Sequence, residues 1–221
     1  MKCVPGGRAG VRSPAAGCSP ERERVRKFTS MLEIHGKQEC PFAWRARLTA
    51  REKGIAFEWI PHDVGSPDPR ASQHNPQQRS PLLWDEGFPL VESLVIAQYI
   101  DESREGRALL PGRAKERARM REVIATVAAK LEITPSHARD ANAARRRIGE
   151  GHAMLEAALS DGRAWLGGDA PMLPDLMVWP FLALQERDGA AIPAHLQRAC
   201  AFWARAKERD SLRETRPRTL A

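Results

Sequence analysis

The sequence predicts a chain with an α/β N-terminal half and an all-helical C-terminal half. Between residues 31 and 103, segments with the two-residue period of strands alternate with segments of helical period. After residue 113 only the helical period remains. With 221 residues, the chain is long enough to bury a sizeable core, as one large domain or two small ones.

The first elements form a strand–helix–strand unit. Residues 31–35 predict a short strand, and Pro41 opens a helix, because proline is favoured in the first helical turn. Gly54 is a typical C-terminal glycine for that helix. Alternating apolar residues then predict a half-buried strand over 55–59. A strand, a helix and a strand at this spacing predict a βαβ unit with a parallel strand pair.

A second pair of strands follows a long loop. Residues 61–80 contain four prolines and little apolar content. Strands are predicted at 79–84 and 88–91, and the tight turn between them makes the pair an antiparallel hairpin. A helix is predicted at 92–103.

The remaining chain is predicted to form a helical domain. We place the first domain at 31–106, a linker at 107–113 and the helical domain at 114–221. Apolar residues at helical spacing predict three buried faces in that domain. Their members are Met120, Val123, Ile124, Val127 and Leu131 on the first face, Ile148, Leu155 and Leu159 on the second, and Leu196, Cys200 and Trp203 on the third.

The net charge of +7 is concentrated in the N-terminal tail. Residues 1–30 carry seven Lys and Arg against two Glu, so +5 of the charge lies there and the body is nearly neutral. Because charges of the body are interspersed, the sequence predicts no nucleic-acid partner; the rival interpretation is a nucleic-acid-binding protein whose binding depends on residues 1–30. The longest apolar run, 176–184, is broken by Pro180 and is far too short to span a bilayer, so no membrane partner is predicted either.

The tail itself lacks the apolar content needed to fold. We interpret residues 1–30 as a disordered tail or as sequence upstream of a true start at Met31. A third interpretation of residues 1–30 is an organelle transit peptide. Such peptides contain few acidic residues, so Glu21 and Glu23 argue against it. The four cysteines show no metal-binding or disulfide spacing, which fits a reducing, cytoplasmic compartment and no metal.

Cys40 is the candidate nucleophile. It stands immediately before Pro41, at or beside the N-cap, where unpaired backbone N–H groups and the positive end of the helix dipole favour a thiolate. The alternative is a buried, inert thiol. Ala43 occupies the position at which a dithiol oxidoreductase carries its second cysteine. No intramolecular disulfide can close there, so a redox cycle requires an external thiol.

In its order of motifs the chain resembles the glutathione transferase superfamily from about residue 31 to 207. The resemblance implies a thioredoxin-like N-terminal domain, a helical C-terminal domain and the cysteine-type, omega-like class. The only tyrosine, Tyr99, lies in a helix far from the first strand and cannot fill the role of a catalytic tyrosine. The motifs lie at residues 40–43, 53–55, 75–76, 80–83, 92–93, 96–97 and 109–111.

The resemblance implies a catalytic cysteine and part of a glutathione site. Cys40 matches the nucleophile of the family, and Phe42 matches the residue whose backbone meets the glutathione thiol, although its side chain could equally belong to the core. Pro81 matches a cis-proline. A cis bond there directs the backbone of Ser80 towards the cysteinyl part of glutathione, as in an added strand.

Two further residues match the subsite for the γ-glutamyl group. Ser93 and the helix N-terminus suit its carboxylate, and Glu92 suits its ammonium group. The alternative is an ordinary helix-capping pair without a ligand.

The chain departs from the family pattern at two places. Members of the family often carry a basic residue, in the loop before the third strand, that reaches the glycine carboxylate of glutathione. The matching position here falls near Pro67, and Arg70 and Arg79 are the nearest substitutes, so the affinity for glutathione is expected to be weak. Met172 stands where a capping Ser or Thr is usual, which predicts a less well tied helix start, and Asp175 matches a capping aspartate.

The resemblance therefore implies a glutathione transferase-like enzyme acting through cysteine thiol chemistry. Glutathione is the expected co-substrate, and the expected assembly is a homodimer. The second substrate would be a small electrophile or disulfide, bound in a hydrophobic half-site between the domains and lined by the 114–133 helix. The alternative is a non-catalytic, protein-binding member of the superfamily.

Overall fold

The structure is a computed structural model that describes residues 31–62, 73, 75–77 and 79–220. The N-terminal tail, interpreted above as disordered or as upstream of the true start, lies outside the described residues. So does most of the predicted 61–80 loop, including Pro67 and Arg70.

Four strands form one mixed sheet in the order β2-β1-β3-β4. The strands are β1 (Leu32–Gly36), β2 (Phe57–Pro61), β3 (Leu82–Asp85) and β4 (Phe88–Val91). The pairing of β1 with β2 is parallel, and those of β1 with β3 and of β3 with β4 are antiparallel. The predicted βαβ unit and hairpin are both confirmed.

In the described part of the α/β half, two helices cover the sheet. Helix α1 spans Pro41–Lys53 and ends at Gly54, whose φ of 81° is the left-handed conformation that favours glycine at a helix end. Helix α2 spans Ser93–Ser103 and packs against α1. Apolar side chains of the sheet and both helices form one core cluster, which contains Leu32, Ile34, Ala46, Ala50, Leu83, Ile96 and Ile100.

The second half is helical, as predicted. Helix α3 (Ala114–Val123) continues through a π-helical stretch at Ile124–Ala128 and one more α-turn at Ala129–Leu131. The later helices are α4 (Ala141–Ala158), α5 (Leu173–Arg187), α6 (Gln197–Lys207) and α7 (Asp210–Thr215), with short 3₁₀ segments at Pro135–His137 and Arg218–Leu220. Among the described residues, no helix is long and apolar enough to cross a membrane.

The buried face of α6 differs from the predicted one at Cys200. Cys200 is only half-buried, and its thiol donates to the carbonyl of Pro193 over 3.5 Å. Trp203 enters the core as predicted, beside Ala199, Phe202 and Ala206, and Leu196 packs against it. The large rings of Phe202 and Trp203 bury more apolar area than the thiol, so they determine how the helix is rotated.

Helix α1 belongs to both halves of the molecule. Its residues Trp44 and Leu48 are fully buried in the larger core cluster, which includes Leu109 of the linker and apolar residues of α5 and α6. A continuous core therefore joins the two halves. The domain boundaries themselves stay predictions.

The N-terminus of α5 is well capped, although Met172 at the N-cap position predicted a poorly capped helix start. The buried carboxylate of Asp175 accepts hydrogen bonds from the backbone N–H groups of Leu166 (2.7 Å), Gly167 (3.0 Å) and Met172 (2.8 Å). Burial raises the pKa of Asp175 to about 7, and these three donors act in the opposite direction. Asp175 thus supplies the capping contacts that a side chain at Met172 does not.

Candidate active site

Cys40 is the N-cap residue of α1, as predicted. Its backbone is extended (φ −74°, ψ 118°), and Pro41 is the first helical residue. The loop before it closes as a turn, in which the Cys40 N–H donates to the carbonyl of Lys37 over 3.1 Å. Among the described residues, no side chain caps the first turn of α1, so the positive end of the helix faces the sulfur.

Ser80 lies directly against this turn. The Cys40 thiol donates to the Ser80 carbonyl over 3.6 Å, and the backbone N–H of Lys37 donates to the Ser80 hydroxyl over 3.0 Å. Gly36 makes the approach possible, because a Cβ at this position would lie 2.6 Å from Oγ of Ser80 and 2.9 Å from Cβ of Ala43. Sequence reasoning missed Gly36, although a glycine at the end of a strand beside a candidate nucleophile was the available signal.

The bond between Ser80 and Pro81 is cis, as the resemblance implied. The segment before it is held by Asn75, whose side chain is buried. The Asn75 amide donates to the Arg79 carbonyl over 2.6 Å and accepts from the Arg79 N–H over 2.9 Å. These bonds hold the chain where it enters the site at Ser80.

Glu92 and Ser93 stand at the start of α2. Glu92 has φ 73° and ψ 108°, a conformation that costs energy for a residue other than glycine. Its side chain caps no helical N–H and instead forms an ion pair with Arg79. The capping-pair alternative is therefore not realised. Arg79, one of the two predicted substitutes for the basic residue, faces Glu92.

A cavity of about 470 Å³ lies between these segments and the helical half. Four of the predicted site residues line it, and Cys40 and Pro81 adjoin it through Ser80. The lining consists of Phe42, Arg45, Arg79, Ser80, Glu92, Ser93, Leu94 and Glu132. A larger opening of about 570 Å³, at the other end of α1 around Arg51 and Glu52, contains none of the predicted site residues.

Arg45 is a buried cation in the wall of the cavity. Its side chain is 2% exposed, its Nε donates to the Met177 carbonyl over 2.8 Å, and its Nη1 lies 2.8 Å from Oε1 of Glu132. The guanidinium lies over the rings of Phe42 and Phe181, at 5.3 and 4.6 Å from their centroids. Burial lowers the pKa of Arg45, and the charges of Glu132 and then Cys40 oppose that shift.

A second buried cation, Arg47, lies seven residues after Cys40, about two helical turns along α1. Its guanidinium stacks on Trp59 at 4.3 Å, and its Nε and Nη2 donate to no acceptor among the described residues. Burial lowers the pKa of Arg47 to about 10, opposed by the charges of Cys40 and Glu39. The sulfur is therefore within electrostatic reach of two buried guanidinium groups, neither of which the sequence analysis placed in the site.

The helical half contributes a charge to the cavity where a hydrophobic wall was expected. From the 114–133 segment, Glu132 is the residue in the lining. In the part of the chain that the structure describes, no three His, Cys, Asp or Glu side chains are placed to hold a metal ion.

Comparison with known proteins identifies the family. Residues 34–108 match the family model described as "Glutathione S-transferase, N-terminal domain". A maleylacetoacetate isomerase of Rhizobium meliloti is 33% identical over 185 residues, which cover 72% of this chain and 86% of that protein. The chain belongs to the glutathione S-transferase superfamily.

Other members of the superfamily are similar over most of the chain. Omega-1 glutathione S-transferase of mouse is 24% identical over 186 residues, covering 81% of this chain and 77% of that protein. A rice glutathione S-transferase crystallised with glutathione is 28% identical with a TM-score of 0.72, over 85% of this chain and 90% of that one. A tau-class glutathione S-transferase from mango shares the fold, with a TM-score of 0.71 at 24% identity. The match covers 86% of this chain and 96% of the mango protein.

These superfamily members confirm the predicted fold of a thioredoxin-like N-terminal domain and a helical C-terminal domain. Proteins named for different classes are all similar to this chain, so the assignment to the cysteine-type class depends on the site and not on the comparisons.

Proposed function

We propose that this superfamily member is a cysteine-type, omega-like glutathione-dependent thioltransferase with Cys40 as its nucleophile. The observation that carries the proposal is the position of the sulfur. It lies at the open N-terminus of α1, 3.6 Å from the Ser80 carbonyl at the edge of the cavity, and Ala43 replaces a second cysteine. A lone thiol in such a place acts by exchange with an external thiol.

The proposed reaction has two balanced steps. The Cys40 thiolate attacks the glutathione sulfur of a mixed disulfide, so a bond between Cys40 and glutathione forms while the original disulfide bond breaks. The departing thiolate takes the bond's electron pair and then a proton from water. A second glutathione thiolate attacks the glutathione bound to Cys40, releasing oxidised glutathione and regenerating the Cys40 thiolate.

The proposed binding of glutathione uses the residues that the cavity brings together. The cysteinyl part would pair with the backbone at Ser80 and Pro81, with the Phe42 backbone near its sulfur. The γ-glutamyl carboxylate would meet Ser93 and the first N–H groups of α2, and its ammonium would meet Glu92. Because Glu92 already pairs with Arg79, the ammonium would share or displace that ion pair. A need for glutathione as external thiol also suits a reducing, cytoplasmic compartment.

A second candidate is glutathione-dependent isomerisation, which the name of the Rhizobium meliloti relative favours at 33% identity. In that chemistry the thiol of glutathione itself would add to the substrate, and Cys40 would not be required as a nucleophile. Conjugation to electrophiles would be secondary in a thioltransferase, because Cys40 competes with glutathione for thiol chemistry. Binding to immobilised glutathione would separate all of these from a non-catalytic protein-binding module.

The deciding experiment compares Cys40→Ser with Cys200→Ser, a matched loss of one thiol outside the site. Both variants and the parent would be assayed with a glutathione mixed disulfide, a chloroaromatic compound and maleylacetoacetate. We expect Cys40→Ser to lose at least about a thousandfold in disulfide reduction, since a serine hydroxyl stays protonated and is a poor leaving group. Cys200→Ser should match the parent. If Cys40→Ser reduces the disulfide at the parental rate, the proposed mechanism is wrong.

A further inference from the structure

The cavity beside Cys40 contains a carboxylate from the helical half, that of Glu132. Its side chain is 31% exposed and its Oε1 lies 2.8 Å from Nη1 of Arg45. Within the described residues, nothing donates a hydrogen bond to its Oε2. One oxygen of this cavity-lining carboxylate is thus bound by Arg45, and the other is available as an acceptor.

The backbone at Glu132 is held firmly in place. Its φ of −72° and ψ of 49° are close to an inverse γ-turn, which is closed by a 2.7 Å bond from the Ile133 N–H to the Leu131 carbonyl. The fully buried amide of Gln185 donates to the carbonyls on both sides, those of Leu131 and Ile133, over 2.9 Å each. The amide oxygen of Gln185 in turn accepts from Nε2 of His152 over 3.1 Å. A buried network therefore holds the backbone at Glu132, and the ion pair with Arg45 holds its carboxylate.

The other charges of the cavity are already paired. The guanidinium of Arg45 is buried and directed at the Met177 carbonyl and at Glu132, and Arg79 pairs with Glu92. The two ion pairs cancel in net charge, so selectivity for a charged substrate depends on which group retains an unused bonding site. Glu92 and Glu132 each keep an oxygen outside their ion pairs; since the proposed function assigns Glu92 to glutathione, Glu132 is the negatively charged acceptor left for the second substrate.

We propose that Glu132 is the specificity-determining residue for the second substrate and selects disulfides whose non-glutathione half carries a positive charge. The inference rests on the proposed function. If glutathione occupies the Ser80 and Ser93 end of the cavity, the other half of a mixed disulfide extends towards Phe42, Leu94 and Glu132. An ammonium group there meets an acceptor, whereas a carboxylate meets a like charge.

The test uses mixed disulfides of glutathione with cysteamine, 2-mercaptoethanol and 3-mercaptopropionate, which differ little in size and place a positive, neutral or negative group near the reacting sulfur. Each kcat/KM is divided by the rate constant of the uncatalysed reaction with free glutathione, because the leaving thiol changes the intrinsic rate. We expect the normalised value for the cysteamine disulfide to exceed that for the mercaptopropionate disulfide about tenfold, with the neutral compound between them. Added salt should reduce the ratio.

Two variants test whether the preference for a positively charged disulfide depends on Glu132. Glu132→Gln keeps an oxygen for Arg45 but removes the negative charge and leaves that of Arg45 uncompensated, so the ratio should fall to about one or below. Glu150→Gln removes a carboxylate that is exposed on α4 and paired with Lys130, and it should keep the parental ratio. If loss of the charge beside buried Arg45 prevents Glu132→Gln from folding, the charge series and its salt dependence in the parent still decide.

The outcomes separate the two proposals. Disulfide reduction with equal normalised rates for the three compounds would overturn the role of Glu132 and leave the thioltransferase intact. A preference that survives in Glu132→Gln would overturn it as well, because the selecting charge would then lie elsewhere. Absence of any disulfide reduction would instead overturn the proposed function, and the selectivity with it.

Discussion

The indole Nε1 of Trp44 donates a 2.8 Å hydrogen bond to Oγ1 of Thr215, 171 positions away in the sequence. Both side chains are buried, and the Thr215 hydroxyl donates its own proton to the Ser211 carbonyl over 2.7 Å. The hydroxyl is therefore oriented with a lone pair towards the indole. This bond ties the last α-helix, α7, to the helix whose N-terminus carries Cys40.

Replacing Thr215 by Val should destabilise the fold, although the two side chains are nearly equal in size. The variant keeps the shape but leaves the Trp44 N–H buried without an acceptor, which costs about 1–3 kcal/mol of unfolding free energy. Urea denaturation should show a lower midpoint with an unchanged slope. Thr126→Val is the control, since Thr126 is exposed and bonds only within α3. Equal midpoints for the two variants would contradict the prediction.

Gly36→Ala should damage the site as well as stability. The added methyl would overlap the Ser80 hydroxyl and the Ala43 side chain, so the turn before Cys40 must move. We expect a loss of about 1–3 kcal/mol from overpacking, together with at least about a tenfold drop in kcat/KM. At Gly112 an added Cβ meets nothing within 4 Å, so Gly112→Ala should retain parental activity. Parental activity of Gly36→Ala would show that this close approach is unimportant.

Alkylation should select Cys40. The Cys40 sulfur lies at the N-terminus of α1, at the edge of the cavity, a setting typical of reactive thiols, whereas Cys200 lies within α6 and away from the cavity. Brief treatment with iodoacetamide at pH 6, followed by peptide mass spectrometry, should label Cys40 ahead of the other three cysteines. Oxidised glutathione should then add one glutathione to Cys40 and stop, because Ala43 offers no resolving thiol. Equal labelling of all four cysteines would refute this.

The buried carboxylate of Asp175 should make stability depend on pH near neutrality. Its pKa rises from about 3.9 in an unfolded chain to about 7 in the fold, so the native state binds the additional proton. Its contribution is fully present below about pH 4 and is lost as the pH rises through about 7. The unfolding free energy of the parent minus that of Asp175→Asn should therefore fall between pH 5 and 8.

A matched variant isolates this effect. Asp140 is an exposed N-cap whose pKa is lowered, chiefly by the N–H of Ala143, so Asp140→Asn should give a flat difference from the parent between pH 5 and 8. His152, whose pKa burial lowers, contributes equally to the parent and both variants. A difference for Asp175→Asn that is flat or rises over this range would disprove the assignment.

We predict a homodimer of two-fold symmetry, as the family resemblance implies. Phe88 on the edge strand β4 is 50% exposed and Val95 on α2 is 48% exposed, so the flank of the first domain presents apolar surface to a second copy. Sedimentation at micromolar concentration should show a dimer, and Phe88→Asp should shift it towards monomer. Met31→Asp, at another exposed apolar residue, serves as the control. A monomeric parent would contradict the prediction.

The sequence by itself determined the elements whose signals are local. The pair Cys40-Pro41 marks the start of α1, Gly54 marks its end, and the Glu86-Gly87 turn closes the hairpin. Each is decided by backbone preferences of a few adjacent residues, which act the same way wherever the segment lies. The order of these elements then made the thioredoxin-like half and its candidate nucleophile predictable.

Only the tertiary structure decided which charges are buried and what they face. From local sequence alone, Arg45 is a charged residue of a helix with no sign of burial. In the fold it is buried, because the Met177 carbonyl, 132 positions away, and the Glu132 carboxylate both contact its guanidinium. A charged side chain enters a core only where distant segments supply its partners, and no local pattern encodes that meeting. For the same reason, the carboxylate that we propose selects the substrate could not be read from the sequence around Glu132.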